Sequence, residues 1–427
     1  MWVFVLGIAT SVLAQTQSAS PAQPTTPMSL STALSTALQQ VSALRQAEID
    51  QQIAAEDLLQ AKAALLPRAR DAFTVTYNSR SPGTTDPSFI AQNAVHEYQN
   101  LIGVTGDLHY GTIAAIRRSR ALLEAARAGT EVARRALVRG VNEAYYGAAL
   151  ATAKRGAAEQ SLAAAQEFER VTDLNYRAGE VPEVDAIRAR LQTAARRDDL
   201  ATARQAEAIA NASLSTLLGT GISTTPAIEP LPQAINVQDV ATLTVANVPQ
   251  RAEFRQLEAQ VRAAEADIGV SRSDLLPRIT YSVDTGFDSS SLTPDILSQH
   301  RGVLATANVD IPIFDWGATF SRVRQAKLRA RGARLQQELV VRDLYLQYAT
   351  ARQEAMTAAE RVDNARQAVT DAEKNVAISI SRYRAGEAPI VEVTDALNTV
   401  ATQRLALQQA LFDYQIARIH LLEAVGQ

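Results

Sequence analysis

Two stretches of this 427-residue chain are near-copies of one another. Tyr176-Arg-Ala-Gly-Glu-Val-Pro182, trailed by Val184 and Asp185, returns as Tyr383-Arg-Ala-Gly-Glu-Ala-Pro389, trailed by Val391 and Glu392. They lie 207 residues apart (383 − 176), and the same offset takes Gly219 to Gly426. A chain filled by two such periods is a tandem duplication, so it folds as two copies of one plan. In each copy a Gly and a Pro separate two long Ala-rich helical patterns. Gly supplies the left-handed residue that ends one helix and Pro the fixed φ that suits the start of the next. Each copy is therefore the tip of a helical hairpin.

Other landmarks repeat in the same order. Leu65-Leu66-Pro67-Arg68 returns as Leu275-Leu276-Pro277-Arg278, and Tyr110-Gly111 returns as Trp316-Gly317. Each half reads as helix, Leu-Leu-Pro-Arg, two strands, long helix, hairpin tip and returning helix. The first repeat spans residues 30–219 and the second 249–426, with a connector over 220–248 broken by Pro226, Pro230 and Pro232.

Ahead of the repeats, residues 1–44 hold no charged side chain. Trp2 to Leu13 is a short apolar run that passes through Ala14 into a Ser/Pro/Thr/Gln tract. That composition resembles the end of a secretory signal (1–14) and a leader (15–29), without the basic start of a signal; a buried N-terminal strand is the other reading. Elsewhere no apolar run reaches the length of a membrane-spanning helix.

Aromatics make up 5% of the chain, Ala is abundant and Cys is absent. An Ala-dominated interior packs helices closely but fills little volume, which suits long coiled coils or tubes. Without Cys there is no disulfide framework, thiol catalysis or Cys lipidation. The net charge of −3 gives no global field toward nucleic acid, and none is expected as a partner. Arg117-Arg118 and Arg134-Arg135 share helical patterns with Glu124, Glu131 and Glu143 and read as a solvated face.

Along the chain, Leu30 to Ala64 is helical and ends before Pro67. Phe73, Val75 and Tyr77 then alternate with Thr74 and Thr76, a strand of period two, and a less regular strand runs from Glu97 to Leu108. In the second half Ile279, Tyr281, Val283, Thr285 and Phe287 oppose Thr280, Ser282, Asp284, Gly286 and Asp288. Val303, Ala305, Ala307, Val309, Ile311 and Ile313 likewise oppose Thr306, Asn308 and Asp310. Such alternation fits a half-exposed sheet in water, and it fits a membrane barrel with lipid outside and water inside.

The connections favour the second. Residues 112–175 and 318–382 contain no Pro and predict two helices on the order of 95 Å long. Leu137, Val141, Ala144, Ala148 and Ala151 form a heptad-like seam, as do Val362, Ala365, Val369, Ala372 and Val376. The returning helices (184–218, 391–425) and the helices leading to the strands are about half as long by the same rise per residue. One of each stacked end to end matches one long helix. The sheets then lie at one end, the two tips at the other, and the connector midway. Four strands cannot close a barrel and leave two open edges, so several copies must assemble.

The paired Leu-Leu-Pro-Arg segments, Ile311-Pro-Ile-Phe-Asp-Trp-Gly317 between strand and helix, and both Tyr-x-x-Gly tips with trailing acids resemble the TolC family of bacterial outer-membrane efflux proteins. The resemblance covers about residues 30–426. It implies a mostly α chain with membrane β: a homotrimer whose long antiparallel hairpins form a periplasmic α-barrel continuous with a twelve-stranded outer-membrane β-barrel, four strands per protomer, surrounded by outer-membrane lipid. It further implies the exit duct of a tripartite efflux or type I secretion system. Its periplasmic tip would be docked by a membrane-fusion adaptor coupled to an inner-membrane transporter.

The resemblance assigns Tyr176, Arg177, Gly179, Tyr383, Arg384 and Gly386 to the docking tip, and Glu392, Asp395 and Asp185 to the periplasmic gate. Positions 392 and 395 share a helix face and, copied around a three-fold axis, give two rings of like charge. The family's Arg partner of Asp185 falls here on Ala388, so that latch is absent or remade, with Arg177 and Arg384 as substitutes. The plainer reading of each acid is a helix N-terminal carboxylate favoured by the helix dipole.

No nucleotide, zinc-hydrolase or Ser-hydrolase motif occurs, and the four histidines, His96, His109, His300 and His420, are scattered. Neither an enzyme nor a resident metal or cofactor is expected. Cargo stays open: drugs, metal ions, siderophores or polypeptides. The rival readings are a soluble periplasmic coiled-coil adaptor, expected to carry one hairpin between compact β domains, and a structural coiled coil, which has no use for alternating strands.

Overall fold

The computed structural model describes residues 27–88, 94–221, 227–236, 242–243 and 250–426. The expected signal segment, most of the leader and half of the connector lie outside the described residues. Two helices dominate: α3 (Tyr110–Arg177) with 68 residues and α7 (Ala318–Arg384) with 67. At 1.5 Å per residue each is about 100 Å long. Their returning partners are α4 (Glu183–Leu218) and α8 (Ile390–Ala424), of 36 and 35 residues. The helices leading to the strands are α2 (Ala43–Ala63) and α5 (Ala252–Ser273), of 21 and 22 residues.

These helices form a single layer of four columns. α3 packs against α2, α4, α5 and α8, whereas α7 packs against α5 and α8. Hence α2 stacks over α4 on one side of α3, and α5 over α8 between α3 and α7. Small residues set the spacing: Ala351, Ala355, Ala358, Ala359 and Val362 of α7 meet Leu411, Tyr414, Ala417 and Leu421 of α8. Val141 and Ala148, from the seam expected on α3, are fully buried. Ion pairs cross the columns at Arg155–Glu207 (2.7 Å), Arg262–Glu124 (2.7 Å), Arg139–Glu423 (2.9 Å) and Arg404–Glu373 (2.7 Å).

The leading helices differ from expectation. The run from Leu30 to Ala64 is not one helix: α1 (Leu30–Ala37) stops and α2 restarts after Ser42. The break lets Ala33 and Ala37 pack on Val141, Tyr145 and Ala148 of α3 and on Leu214 and Leu218 of α4. Gln40 in the bend lies against Gly219, the left-handed residue (φ 65°) that ends α4, where a Cβ would sit 2.4 Å from the Gln40 Oε1. Tertiary burial of α1 thus overrides continuous helix propensity. The second leading helix, at 22 residues, is likewise shorter than half of the 67-residue helix beside it.

The strands β1 (Arg68–Tyr77), β2 (His96–Leu108), β3 (Arg278–Ser289) and β4 (Arg301–Asp310) join in one antiparallel sheet in chain order. A short helix, α6 (Pro294–Gln299), sits in the β3–β4 loop. The β2–β3 pairing, Leu108 to Ile279 through Tyr98 to Ser289, welds the two repeats together. β1 and β4 are left as open edges.

At mid-height three tyrosines hold the connector to the helices. The Tyr145 hydroxyl donates to the Met28 carbonyl (2.8 Å) and accepts from the Glu229 N–H (3.3 Å). Tyr414 accepts from the Asn236 N–H (3.0 Å), and Tyr348 donates to the Leu243 carbonyl (3.0 Å). Side-chain hydroxyls here satisfy backbone groups that no ladder serves.

Candidate functional site

The sheet is inside out relative to a water-soluble one. In β2 and β3 the polar residues are the shielded ones: Asp284 is 4% exposed, whereas Val283 is 49% and Ile102 54% exposed. Among the described residues α6 is the one helix with a substantial contact to the sheet, at β3, so the shielding arises because the sheet curls around its polar face. Glycine permits that curl. A Cβ on Gly103 would meet the Asp284 carboxylate at 1.9 Å, and one on Gly286 would meet the Asn100 carbonyl at 1.8 Å. The outer face carries Phe73, Val75, Tyr77, Ile102, Val104, Ile279, Val283, Val303 and Val309, all large and exposed. Exposed apolar surface on this scale marks contact with lipid or partner.

Below β4, Asp315 caps α7. Its carboxylate accepts from the backbone N–H groups of Gly317 (3.0 Å) and Thr319 (2.6 Å). The bonds from Thr319, with a further one from Gly317, hold its pKa below the ordinary aspartate value. Trp316 between them takes a positive φ of 57° and is 90% exposed, its ring edge-on to Phe314 at 4.9 Å. The Asp315 cap offsets the strain of a bulky residue in that region.

At the opposite end both tips are Schellman turns. Gly179 (φ 77°) and Gly386 (φ 78°) take the left-handed position. Glu180 N–H bonds the Asn175 carbonyl (2.9 Å) and Glu387 N–H the Arg382 carbonyl (2.9 Å). No atom stands within 4 Å of where a Cβ on either glycine would point. The equivalent tyrosines differ: Tyr176 is exposed, whereas Tyr383 tucks between the hairpins against Phe168, ring centroids 5.8 Å apart. The Tyr383 hydroxyl donates to Asp185 Oδ2 at 3.4 Å. Burial, and then the Asp185 carboxylate, push the Tyr383 pKa above the ordinary tyrosine value.

The expected substitutes for the missing Arg do not reach Asp185. Arg177 pairs with Asp173 of its own helix (2.6 Å), and Arg384 is exposed and acts on Glu167 of α3. The contact is supplied by Tyr383 instead, because the ring is anchored by the Phe168, Ile390, Val393 and Leu397 cluster. Glu392 pairs with Arg382 across its own hairpin (2.5 Å), while Asp395 is exposed. A second tie between hairpins, Gln192 Nε2 to Asn398 Oδ1 (2.7 Å), had no signal in the sequence. Two polar residues some 200 positions apart announce nothing until the helices are aligned.

A single helical layer ending in hairpin tips at one end and an inside-out sheet at the other defines a protomer of a membrane-anchored tube. The chain belongs to the outer membrane efflux protein family, whose model matches residues 33–220 and 248–427. It is 25% identical to outer membrane protein OprJ of Pseudomonas aeruginosa, over 78% of this chain and 69% of that one. It is 28% identical to nodulation protein T of Rhizobium leguminosarum bv. viciae over 41% of this chain, a match that spans only 36% of that relative. The outer-membrane channel CmeC of Campylobacter jejuni has the same fold, with a TM-score of 0.82 at 18% identity over 93% of this chain and 85% of that one. The protein resides in the outer membrane, and its family is one of transport proteins rather than enzymes.

Proposed function

We propose that three copies of this chain close into a passive exit duct. The four-stranded sheets join into one barrel in the outer membrane and the helical layers into a periplasmic tube. The observation that carries this reading is the inside-out sheet, shielded on its polar face and apolar outside, with two unpaired edges. The helical edges support it too. α7 exposes Leu328, Leu335, Leu339 and Leu346, spaced by whole or half heptads, and α2 exposes Ile49 and Ile53 on the opposite edge.

The tip is the gate and the docking surface. Tyr383–Asp185 and Gln192–Asn398 hold the second hairpin against the first. Arg382 restrains Glu392, and Asp395 lines the mouth as a ring of carboxylates. Tyr176, Arg177, Gly179, Arg384 and Gly386 present the two turns to a periplasmic membrane-fusion adaptor, which couples the duct to an inner-membrane transporter. The open surface beside each glycine suits close approach of another backbone.

Single-channel recording of the detergent-extracted protein in a planar bilayer tests the duct. Discrete cation-preferring steps are expected. Replacing Glu392 by Gln and Asp395 by Asn together raises resting conductance or lowers cation preference. A double variant that still assembles and matches wild type in both removes these acids from the gate.

A further inference from the structure

At the base of the sheet the polar face carries Arg68 on β1, Asp107 on β2, Arg278 on β3 and Asp310 on β4, while Arg70, further along β1 on the same face, pairs with Asp284 at 3.9 Å. The register pairs Arg68 with Thr105, Asp107 with Thr280 and Arg278 with Asp310, which puts all four on the polar face with Asp284. Their signs alternate across the sheet. Arg278 bonds Asp107 on one side and stands opposite Asp310 on the other. The duplication accounts for the two arginines, since Arg68 and Arg278 each end a Leu-Leu-Pro-Arg segment; Asp107 and Asp310, three residues before Tyr110 and six before Trp316, are not repeats of one position.

The alternation stops only at the open edges. Arg68 is exposed and has no ion-pair partner among the described residues; Asp310 is exposed and faces Arg278 on one side alone. Pro67 precedes β1 and Pro312 follows β4, so neither edge ladder extends past this end. The two unmatched charges are opposite in sign, on the same face and at the same end of the sheet.

We propose that Arg68 of one copy meets Asp310 of the next, completing an alternating collar of Arg and Asp around the base of the barrel lumen. The proposal rests on the three-copy reading above. Each junction takes one residue from each copy, so a single chain cannot form it. The collar solves a register problem. Apolar-out alternation forbids a slip of one residue between β4 and the neighbouring β1, but it tolerates a slip of two. A slip of two in one direction leaves both unpaired, and in the other it brings Arg70 to Asp310 only by drawing Arg70 from Asp284, its partner at 3.9 Å. Because Arg and Asp are equal in number, the collar carries no net charge.

The chain has no Cys, so engineered thiols react alone. Purified Arg68→Cys/Asp310→Cys treated with a short bis-maleimide is expected to run as covalent dimers and trimers in SDS. Arg68→Cys/Gly302→Cys, with the second thiol at the other end of β4, is expected to stay monomeric. Trimers by mass that fail to link, or that link equally in both variants, overturn the collar and leave the duct standing; a protein that is monomeric by mass overturns both. A double-mutant cycle with Arg68→Gln and Asp310→Asn adds a readout without thiols. Coupling of about two- to fivefold in the rate of heat dissociation of the trimer is expected, and additive effects overturn the contact.

Discussion

Tyr383→Phe tests the proposed latch between the hairpins. It removes one hydroxyl and keeps the ring packed on Phe168 and the Ile390, Val393 and Leu397 cluster. The Tyr383–Asp185 contact of 3.4 Å is long for a hydroxyl donor, which places it in the lower part of the range for such bonds, about 0.5–1 kcal/mol. If three copies open together, the losses add to about 1.5–3 kcal/mol, or about tenfold to 150-fold in the ratio of open to closed mouths. The assay is the resting open fraction in planar bilayers at neutral pH. Burial and Asp185 raise the Tyr383 pKa, so the donor stays protonated there, and the contact is lost only as pH rises through that elevated value. Asp185→Asn should open the mouth in the same direction. Tyr383→Phe trimers with the resting conductance of wild type would refute the latch.

Other outcomes follow from the junction and the sheet. Asp315 has a folded pKa below its unfolded one, so its cap stabilises α7 above the ordinary aspartate value and fades as pH falls through the folded value. Asp315→Ala should lose that acid-dependent step in a thermal melt followed by Trp316 fluorescence. Gly286→Ala drives a Cβ into the Asn100 carbonyl and should cost about 3 kcal/mol by overpacking, seen as trimers that dissociate at lower temperature. Gly302→Ala, which meets nothing within 4 Å, serves as the neutral control.

What could be read in the sequence was what the backbone must do locally. The glycines of both tips announce left-handed residues, the Leu-Leu-Pro-Arg segments announce helix-to-strand transitions, and period-two runs announce strands with one polar face. What could not be read depends on long-range packing. The bend before Ser42 contains no Gly or Pro and exists because α1 finds an apolar seat on α3 and α4. Tyr383 and Tyr176 occupy equivalent repeat positions, yet only Tyr383 faces a neighbouring hairpin. The substitution of Tyr383 for the missing Arg follows from that packing alone.

Tyr145, one of the three tyrosines that bind the connector, also divides α3 into two arms. The lower arm, from Tyr145 to Arg177, spans 32 residues (177 − 145), or about 48 Å of helix. If the strap is the fulcrum, a tilt of about 5° about it swings the tip by about 4 Å over that arm length. The same tilt leaves atoms at the strap almost still. In the proposed duct a girdle at mid-height would work as a mechanical advantage: small angular slack at the waist would become a change of aperture at the mouth, and the membrane end need not deform.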